Sequence, residues 1–436
     1  MAVAGSARGI VVSSERPSLN EEQIEEAVAR GLAGFPVDGK RVLTLLPDAT
    51  RTMPVPLFFR LLTRHLLPRV ASLDFMIALG THPPLDQAHL LSHVGLTRAE
   101  KAGTYAAVGV RNHDWTETDA LVELGILPGN EIAAISGGLW ERDVPVRLNR
   151  SVLEYDHLLV CGPVFPHEVV GFSGGNKYFF PGIAGQEIID FTHWLGGLLT
   201  TRAIIGIKDT PIRRLIDRAA AMIPRPRHAL CAVVTHDGVA GVYCGTPEEA
   251  FSAAADRSAQ EHIVFVERPF HKVLAVLPAM YDELWVGAKG MYKTEPVVVD
   301  GGEVILYAPH LREISRTHGA KIRTVGYHVR DYFLSQWDRF KDTPGGVLGH
   351  CMRLRGGGTY HDGVERPRIE VTLATGIPEA ECRAVNLGYR DPRTIEPLSF
   401  AGREQQGVLY VPRAGEIVFQ LGTPRTGGRA KQPEDW

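Results

Sequence analysis

The sequence predicts an α/β fold with two α/β domains, each built on a largely parallel sheet. Short apolar runs that end in turn residues are typical of buried parallel strands, and here they alternate with helix-like segments. This alternation starts a second time near Lys272, after a break. A chain of 436 residues with 44% hydrophobic content is long enough for two cores.

The first block of elements begins with a helix at Ser18-Leu-Asn-Glu21, which has the pattern of a capping box, and Gly34 is expected to end this helix. The apolar run 41–46 then predicts a buried strand. The further elements of this block are a helix at 57–67, a strand at 73–79 and a strand at 157–161.

The second block begins with a strand at 272–277 and continues through a predicted helix from about 283 to 298. The residues Asp300-Gly-Gly302 predict a turn, which is followed by a strand at 303–306. The segment 267–270 is predicted to link the two blocks. We therefore place an N-terminal domain at 1–266 and a C-terminal domain at 267–387, and we expect residues 388–436 to pack back on the first domain.

Composition argues against several classes of protein. Forty-seven basic and 50 acidic residues nearly balance, so no strong field attracts nucleic acid or anionic lipid. The five cysteines are scattered and never spaced as C-x-x-C, which indicates reduced thiols and not a disulfide framework or a thiolate zinc site. No secretory leader or membrane span is recognisable, so we expect a cytoplasmic protein that binds a small molecule.

Polar side chains follow three of the predicted strands. Asp48, Thr50 and Arg51 come after the first strand, His82 after the second, and His167 after the third. Ligands of parallel α/β sheets bind beyond the carboxyl ends of the strands, so these side chains are candidates for one site. Taken singly, each has an ordinary explanation, such as a surface ion pair for Asp48 and Arg51 or a packed structural histidine.

The stretch Gly171-Phe-Ser-Gly-Gly-Asn-Lys177 first suggests a phosphate-binding loop, because adjacent glycines expose backbone N–H groups near a lysine. It is not a Walker A motif, since Tyr178 stands where serine or threonine is required. His167-Glu168 does not begin a zinc-protease H-E-x-x-H motif either, because Gly171 occupies its last position. The alternative to a phosphate-binding loop is a glycine-rich turn whose lysine is merely solvated.

Considered together, these motifs resemble the lactate racemase family that uses a nickel-pincer nucleotide. Five separated patches carry the resemblance, in the same order as in the family. They are Pro47-Asp-Ala-Thr-Arg51, Ala78-Leu-Gly-Thr-His-Pro83, Asn112-His-Asp-Trp115, His167 through Gly182, and Ala288-Lys-Gly290 with the later Gly301-Gly302.

The resemblance implies a role for each matching residue. Lys177 would carry the cofactor, a pyridinium-3-thioamide-5-thiocarboxylic acid mononucleotide with Ni(II), through a covalent bond. His193 would be the protein ligand to nickel, which accepts imidazole in a tetragonal set. His82 and His167 would be the paired acid and base, one for each face of the substrate carbon.

Two histidines suit a racemase that works by hydride transfer. Removing hydride from a 2-hydroxyacid leaves a stable keto acid, while a base takes the hydroxyl proton. Returning the hydride to the other face requires a second proton-transfer group. Arg51 would then bind the substrate carboxylate through its planar fork, and Lys289 matches a second family lysine at the substrate.

Weaker assignments follow from motif position alone. Thr50, Ser173, Gly174 and Gly175 would hold the nucleotide's phosphate and ribose, and Asp48 would contact the ribose or Arg51. We expect the active site to lie in the cleft between the domains. The family depends on separate cofactor-biosynthesis proteins, which are therefore expected partners; the oligomeric state is left open.

One departure concerns the substrate. Where lactate-active members have a glutamine three residues before the second-domain lysine, this chain has Val286. We therefore expect a substrate other than lactate, such as malate or a sugar acid. Two other functions are alternatives: a nicotinamide-dependent 2-hydroxyacid dehydrogenase, whose G-x-G-x-x-G fingerprint is not seen, and a non-catalytic nucleotide or nickel carrier.

Overall fold

The computed structural model describes residues 10–13, 18–80, 82–113 and 117–422. Asp114 and Trp115 of one resemblance patch lie outside these residues, as does the chain from 423 onward. The chain divides into two compact units. The first unit is Met1–Phe165, Ser173–Ile189 and Arg213–Glu261; the second is Pro166–Phe172, Asp190–Ile212 and His262–Trp436.

The first unit is built on a sheet in which seven strands pair among the described residues. Five neighbouring strands run parallel, and an antiparallel pair completes one edge. In order across the sheet the strands are Ile10–Ser13, Gly238–Gly245, Arg227–Thr235, His157–Pro163, Arg41–Pro47, Ser72–Ala78 and Gly109–Asn112. The predicted strands at 41–46, 73–79 and 157–161 are thereby confirmed, with ends that differ by one or two residues.

The central strands of this sheet are buried on both faces, which explains their continuous apolar runs. The hairpin of Leu121–Leu127 and Val144–Asn149 lies outside the sheet. The helices of this unit are Glu21–Ala33, Val55–Leu66, Gln87–His93, Arg98–Ala102, Gly129–Ser136, Pro211–Ala220 and Pro247–His262, the ends of two of them reaching residues of the second unit.

The first helix is confirmed, but its capping box is two residues away from the predicted one. Asn20, not Ser18, is the N-cap: its side chain accepts from the N–H of Gln23 at 2.8 Å, and the Gln23 side chain accepts from the N–H of Asn20 at 3.0 Å. The helix ends at Gly34, as predicted. An asparagine caps a helix as well as a serine does, so the residue pattern alone allowed both registers.

The second unit is built on a sheet in which five strands, all parallel, pair among the described residues. In order they are Gly388–Tyr389, Glu370–Thr375, Val298–Ala308, Phe270–Val276 and Val408–Val411. Three two-stranded ladders accompany the sheet: Ile263–Val266 with Val418–Leu421, Pro166–His167 with Gly171–Phe172, and Gly358–His361 with Val364–Pro367. The α/β class with largely parallel sheets is confirmed.

Helices of the second unit pack around this sheet. They are the part of Gln186–Leu199 from Asp190 onward, and Thr201–Ile204, Leu284–Gly287, Lys289–Thr294, Gly319–Val325, Arg330–Ser335, Trp337–Phe340, Gly345–Arg355 and Glu379–Ala384. The helix predicted from 283 to 298 is thus two short helices, and a 3-10 turn at Glu295–Val297 completes the segment.

The turn predicted at Asp300-Gly-Gly302 is wrong. These residues continue the strand Val298–Ala308, and the pairing with the neighbouring strand shifts register between Phe270 and Lys272. Gly301 adopts φ +77°, and its N–H donates to the carbonyl of Arg368 at 2.8 Å. A glycine in the left-handed region makes an irregularity inside a strand as readily as it makes a turn.

The compact units differ from the predicted domain boundaries in two respects. Segments 166–172 and 190–212, which precede residue 266, belong to the second unit. In the region expected to return to the first domain, Val408–Val411 instead completes the second unit's sheet beside Phe270–Val276. Its run of four apolar residues forms an edge strand there, which pairs one side of its backbone with Phe270–Val276.

Among the described residues, no helix combines the length and apolar character that a bilayer crossing requires.

Candidate active site

The loop after the strand Arg41–Pro47 is organised around the buried carboxylate of Asp48. Oδ1 of Asp48 accepts from the N–H of Thr50 at 2.7 Å and from its hydroxyl at 2.5 Å. Nη1 of Arg51 donates to the same hydroxyl oxygen at 2.6 Å. Thr50, predicted to hold the nucleotide, and Asp48, predicted to contact the ribose or Arg51, therefore build the loop that holds Arg51, and their contact with a nucleotide stays a prediction.

His82 lies against the other oxygen of this carboxylate. Its Nδ1 is 3.1 Å from Oδ2 of Asp48, and its side chain is only 16% exposed. Nδ1 makes no hydrogen bond of acceptable geometry with any described residue. Its contact with the carboxylate is therefore electrostatic. A carboxylate in this place favours the proton on Nδ1 and leaves Nε2 available as a base.

The carboxylate of Asp48 stays ionised at neutral pH. Burial raises the pKa of Asp48, but the charges of His82 and Arg51 outweigh burial and hold the pKa well below its usual range. The structure thus brings together four predicted residues, Asp48, Thr50, Arg51 and His82, around one negative charge.

Tyr178 belongs to the same surroundings but was missed as a site residue. Burial raises its pKa well above the ordinary value, although the charge of Arg51 opposes this. A Cβ on Gly162 would lie 1.7 Å from the Tyr178 hydroxyl oxygen, so only glycine leaves room for this ring. The signal was present in the sequence as a glycine at the end of the strand His157–Pro163. Arg51 also lies 5.8 Å from the ring centroid of Phe165.

The glycine-rich turn before Lys177 is held by Ser173. The Ser173 hydroxyl donates to the carbonyl of Pro163 at 2.9 Å and accepts from the N–H of Phe165 at 3.0 Å. Its only O–H proton is therefore used inside the protein. The predicted contact of Ser173 with a nucleotide stays a prediction. In such a contact the Ser173 hydroxyl oxygen would act as a hydrogen-bond acceptor.

Gly174 and Gly175 are required by packing. Both have positive φ, +89° and +58°. A Cβ on Gly174 would come within 2.4 Å of Val164, and one on Gly175 within 2.8 Å of Phe251. Side chains of the protein itself fill the space that these glycines leave. Packing alone therefore explains why glycine stands at both positions, whether or not they contact a nucleotide.

Lys177 lies half-buried in the 3-10 turn Gly175–Tyr178, next to the fully buried Asn176. The Asn176 amide donates to Asp217 at 2.9 Å and to Glu248 at 2.7 Å, and its oxygen accepts from Arg227 at 2.6 Å. This network, which sequence reasoning missed, fixes the backbone immediately before Lys177.

Arg213 is a second support of the turn that was missed. It is buried, and its Nη1 donates to the carbonyl of Gly174 at 3.1 Å. Its guanidinium lies 3.8 Å from the ring centroid of Phe251. Burial lowers the pKa of Arg213 to about 10, so the group remains charged at neutral pH.

In the second unit, His167 lies in the two-stranded ladder of Pro166–His167 with Gly171–Phe172 and is 5% exposed. The N–H of Val169 donates to Nδ1 of His167 at 3.1 Å. Because Nδ1 accepts, the neutral ring carries its proton on Nε2. His167 and His82 therefore have opposite hydrogen-bonding states at Nε2, one a donor and the other an acceptor.

Glu168, missed from sequence, lies next to His167 and within a group of cations. Burial raises the pKa of Glu168, but Lys293, Arg353 and Lys289 lower it more, so the pKa falls below its usual value. Lys293 is fully buried and donates from Nζ to the carbonyl of Pro166. The second unit thus holds more positive than negative charge around His167, as an anionic substrate requires.

Lys289 begins the short helix Lys289–Thr294 and is 9% exposed. Its Nζ lies 4.8 Å from the ring centroid of Tyr281, a distance at which a cation is attracted to the ring face. Val286, one turn earlier, is buried and apolar, so it offers no polar contact from the position of the family glutamine.

His193 lies on the helix Gln186–Leu199, partly exposed. Its carbonyl accepts from Nη1 of Arg353 at 2.9 Å. A Cβ on Gly349 would come within 2.2 Å of the same carbonyl, so the helix Gly345–Arg355 lies directly against this residue. Among the described residues, no three His, Cys, Asp or Glu side chains gather into a metal cluster.

The predicted residues fall into two sets. Asp48, Thr50, Arg51, His82, Ser173, Gly174, Gly175 and Lys177 lie in the first unit, and His167, His193 and Lys289 lie in the second. Within the first unit, Tyr178 of the Lys177 turn lies near enough to Arg51 and Asp48 for their charges to act on its pKa. The predicted location of the site in a cleft between domains stays a prediction.

Residues 10–203 match the family model described as the lactate racemase N-terminal domain. This range includes every predicted site residue except Lys289. The lactate racemase of Thermoanaerobacterium thermosaccharolyticum is 24% identical over 291 residues, which is 65% of this chain. The match spans 62% of that relative's length.

Two solved structures are similar to the chain. A crystal structure of a protein from Thermotoga maritima is 31% identical, covers 94% of this chain and 100% of its own, and has a TM-score of 0.85. The lactate racemase apoprotein from Thermoanaerobacterium thermosaccharolyticum is 19% identical, with 95% of each chain covered and a TM-score of 0.70. The second likeness shows a shared fold.

Proposed function

Because the chain belongs to the lactate racemase family, we propose that it is a 2-hydroxyacid racemase or epimerase. The observation that carries the proposal is the pair of His82 and the ionised Asp48, placed beside Arg51 at the end of a buried strand. This arrangement supplies a base next to a carboxylate-binding cation, and it lies within the residues that the family model matches.

We further propose that the chain carries a nickel-pincer nucleotide on Lys177, with His193 as the protein ligand to nickel. The residues present fit such a group. Lys177 is half-buried on a turn fixed by Asn176, and His193 supplies the single imidazole that the family chemistry needs. When bound, this cofactor would accept and return a hydride.

The chain's own residues handle the proton. With its Nδ1 proton held toward Asp48, His82 offers the Nε2 lone pair to a substrate hydroxyl. His167, whose Nδ1 accepts from Val169, offers an N–H at Nε2. The two rings therefore begin in opposite hydrogen-bonding states, as a reaction that takes a proton at one face and returns it at the other requires.

Cationic side chains would orient the substrate. Arg51 is held by Thr50, which leaves its planar guanidinium fixed for a carboxylate. Lys289, with the nearby Lys293, adds positive charge in the second unit. Val286 removes one polar contact, so we propose a substrate other than lactate, such as malate or a sugar acid.

The decisive measurement is intact mass of protein coproduced with the cofactor-biosynthesis proteins, with and without nickel in the medium. We expect an added mass of a pincer nucleotide that is absent in Lys177→Ala and retained in Lys40→Ala, which removes an exposed lysine of the first unit. An active enzyme that stays unmodified would contradict the cofactor assignment.

Turnover is tested by following the chirality of lactate, malate and aldonic acids. We expect His82→Ala and His167→Ala each to lose turnover while keeping the mass adduct and the nickel. Loaded protein that racemises none of these acids, and whose histidine variants differ in nothing, would indicate a carrier. Faster turnover of lactate than of malate and aldonic acids would overturn the substrate proposal.

A further inference from the structure

A cavity of about 510 Å³ lies within the second unit, in the size range of small-molecule sites. Its walls come from the end of the helix Gln186–Leu199 and the residues after it, from the glycines 356–358, and from four arginines. None of the three predicted site residues of this unit, His167, His193 and Lys289, lines it.

The wall of this cavity carries excess positive charge. Arg202, Arg330, Arg353 and Arg368 line it, against one glutamate, Glu295. Arginine stays protonated in proteins, so these charges cannot be relieved by titration. Four like charges around one space are unfavourable unless a counterion joins them.

Carboxylates compensate two of these four charges: Arg330 lies 3.2 Å from Asp331, and Arg368 lies 3.2 Å from Asp300. Glu295 is 3.5 Å from Arg368, a loose contact, and it also accepts from the N–H of Gly357 at 3.1 Å. Arg202 and Arg353 have no carboxylate within ion-pair distance in the described part of the chain, and Arg202 is exposed.

Two buried donors in the wall lack partners. Nε of Arg353 and Nε of Arg368 have no hydrogen-bond partner among the described residues, and Arg353 is only 4% exposed. Buried N–H groups of charged side chains are rarely left unpaired in folded proteins. Nη1 of Arg353 donates to the carbonyl of His193, and its guanidinium also hydrogen-bonds Tyr292. Nε is therefore the Arg353 donor that a ligand would meet.

The backbone of the wall is also unusual. Thr200 adopts φ +70° and ψ 147°, a region that a β-branched residue rarely enters. Such conformations concentrate at ligand sites. Gly356, at φ +80°, allows close packing, since a Cβ there would come within 2.8 Å of Met291.

We propose that this cavity binds a small organic anion with at least two carboxylate or phosphate groups. Arginine forks pair with both groups in a bidentate manner, and the spread of four arginines over the wall suits more than one such group. The volume exceeds what a single inorganic ion fills. The proposal does not depend on the proposed racemase function: of the four arginines only Arg353 also contacts a residue of the candidate active site, and the test below leaves Arg353 unchanged.

The test measures binding directly, on the full chain, by isothermal titration calorimetry and thermal unfolding. Citrate probes the tricarboxylate and pyrophosphate the diphosphate; acetate and chloride at matched ionic strength are the controls. The variant Arg202→Gln/Arg330→Gln removes two wall charges. Arg323→Gln removes an exposed arginine of the same unit that lines no part of the cavity.

We expect one of the two polyanions to bind at one site per chain and to raise the unfolding temperature saturably. The double variant should weaken that binding at least tenfold, and Arg323→Gln should leave it unchanged. Equal binding by the double variant, equal loss in the control, or effects matched by chloride would overturn the proposal. Competition by a turned-over 2-hydroxyacid would also overturn it, by making this the substrate site. None of these results depends on turnover, so failure here leaves the proposed function untouched.

Discussion

Oδ2 of Asp48 lies 3.1 Å from Nδ1 of His82, while Oδ1 of the same carboxylate accepts two hydrogen bonds from Thr50. One buried carboxylate therefore both shapes its loop and sets the surroundings of a candidate base. We expect Asp48→Asn to lower turnover more than tenfold with a small change in KM, because the imidazole loses the charge that orients it. Steady-state kinetics on cofactor-loaded enzyme would check this.

The same variant makes a pH-dependent stability prediction. The folded-state pKa of Asp48 is depressed, so its stabilising contribution is complete above the unfolded pKa of about 3.9 and is lost as pH falls through the folded pKa. Asp48→Asn should cost about 2–4 kcal/mol at neutral pH. The difference from wild type should be constant above about pH 5 and should shrink below about pH 4. Asp38→Asn, at an exposed ion pair, serves as the control; equal losses in both would contradict the prediction.

Removing the buried amide beside Lys177 should destabilise the first unit. Asn176→Ala leaves Asp217, Glu248 and Arg227 without the group that joins them, and we expect a loss of about 2–4 kcal/mol. Denaturant unfolding measures it. Asn130→Ala, at an exposed site on a helix, should lose less than about 1 kcal/mol. A loss at Asn176 as small as that at Asn130 would show that the network holds nothing in place.

Gly174 and Gly137 separate packing from backbone conformation. Both have positive φ, +89° and +70°, but a Cβ meets Val164 at 2.4 Å in the first case and nothing within 4 Å in the second. We expect Gly137→Ala to cost about 1 kcal/mol and Gly174→Ala at least about 2–3 kcal/mol. Comparable unfolding midpoints for the two variants would mean that the turn yields easily.

Thr200 offers a stabilising substitution. Its φ of +70° is strained for a residue with a Cβ, and glycine removes that strain. We expect Thr200→Gly to gain about 1 kcal/mol in thermal unfolding. Thr200→Ala keeps a Cβ at the same φ and should gain nothing. A gain in the alanine variant equal to that in the glycine variant would trace the effect to the threonine groups beyond Cβ instead.

Short sequence patterns correctly predicted those strands and helices that a few neighbouring residues define. The strand Arg41–Pro47 is a buried apolar run that ends in turn residues, and the rule for strand ends then pointed to Asp48 and His82. Where two patterns were equally good, the sequence could not decide between them. Asn20 competed with Ser18 for the cap, and Gly301 could serve a turn or an irregular strand.

The supports of the site could not be predicted, because their partners are distant in sequence. Asn176 bonds to Glu248, 72 residues away, and Arg213 bonds to the carbonyl of Gly174, 39 residues away. The pKa of Glu168 is lowered by Lys293 and Arg353, and no local sequence pattern links these residues to Glu168. Such contacts form only when the folded chain brings distant segments together, and a local sequence pattern does not record them.

The five cysteines can serve as built-in chemical probes of local unfolding. All five are buried thiols, and burial raises the pKa of three of them, Cys231, Cys244 and Cys382, to about 12. Thiolate is the form that reacts with maleimides and disulfide reagents, so the native protein should label slowly. Cys161, Cys231 and Cys244 belong to the first unit, and Cys351 and Cys382 to the second. Mapping which thiols label first under mild denaturant would therefore report which unit opens first, without any engineered tag.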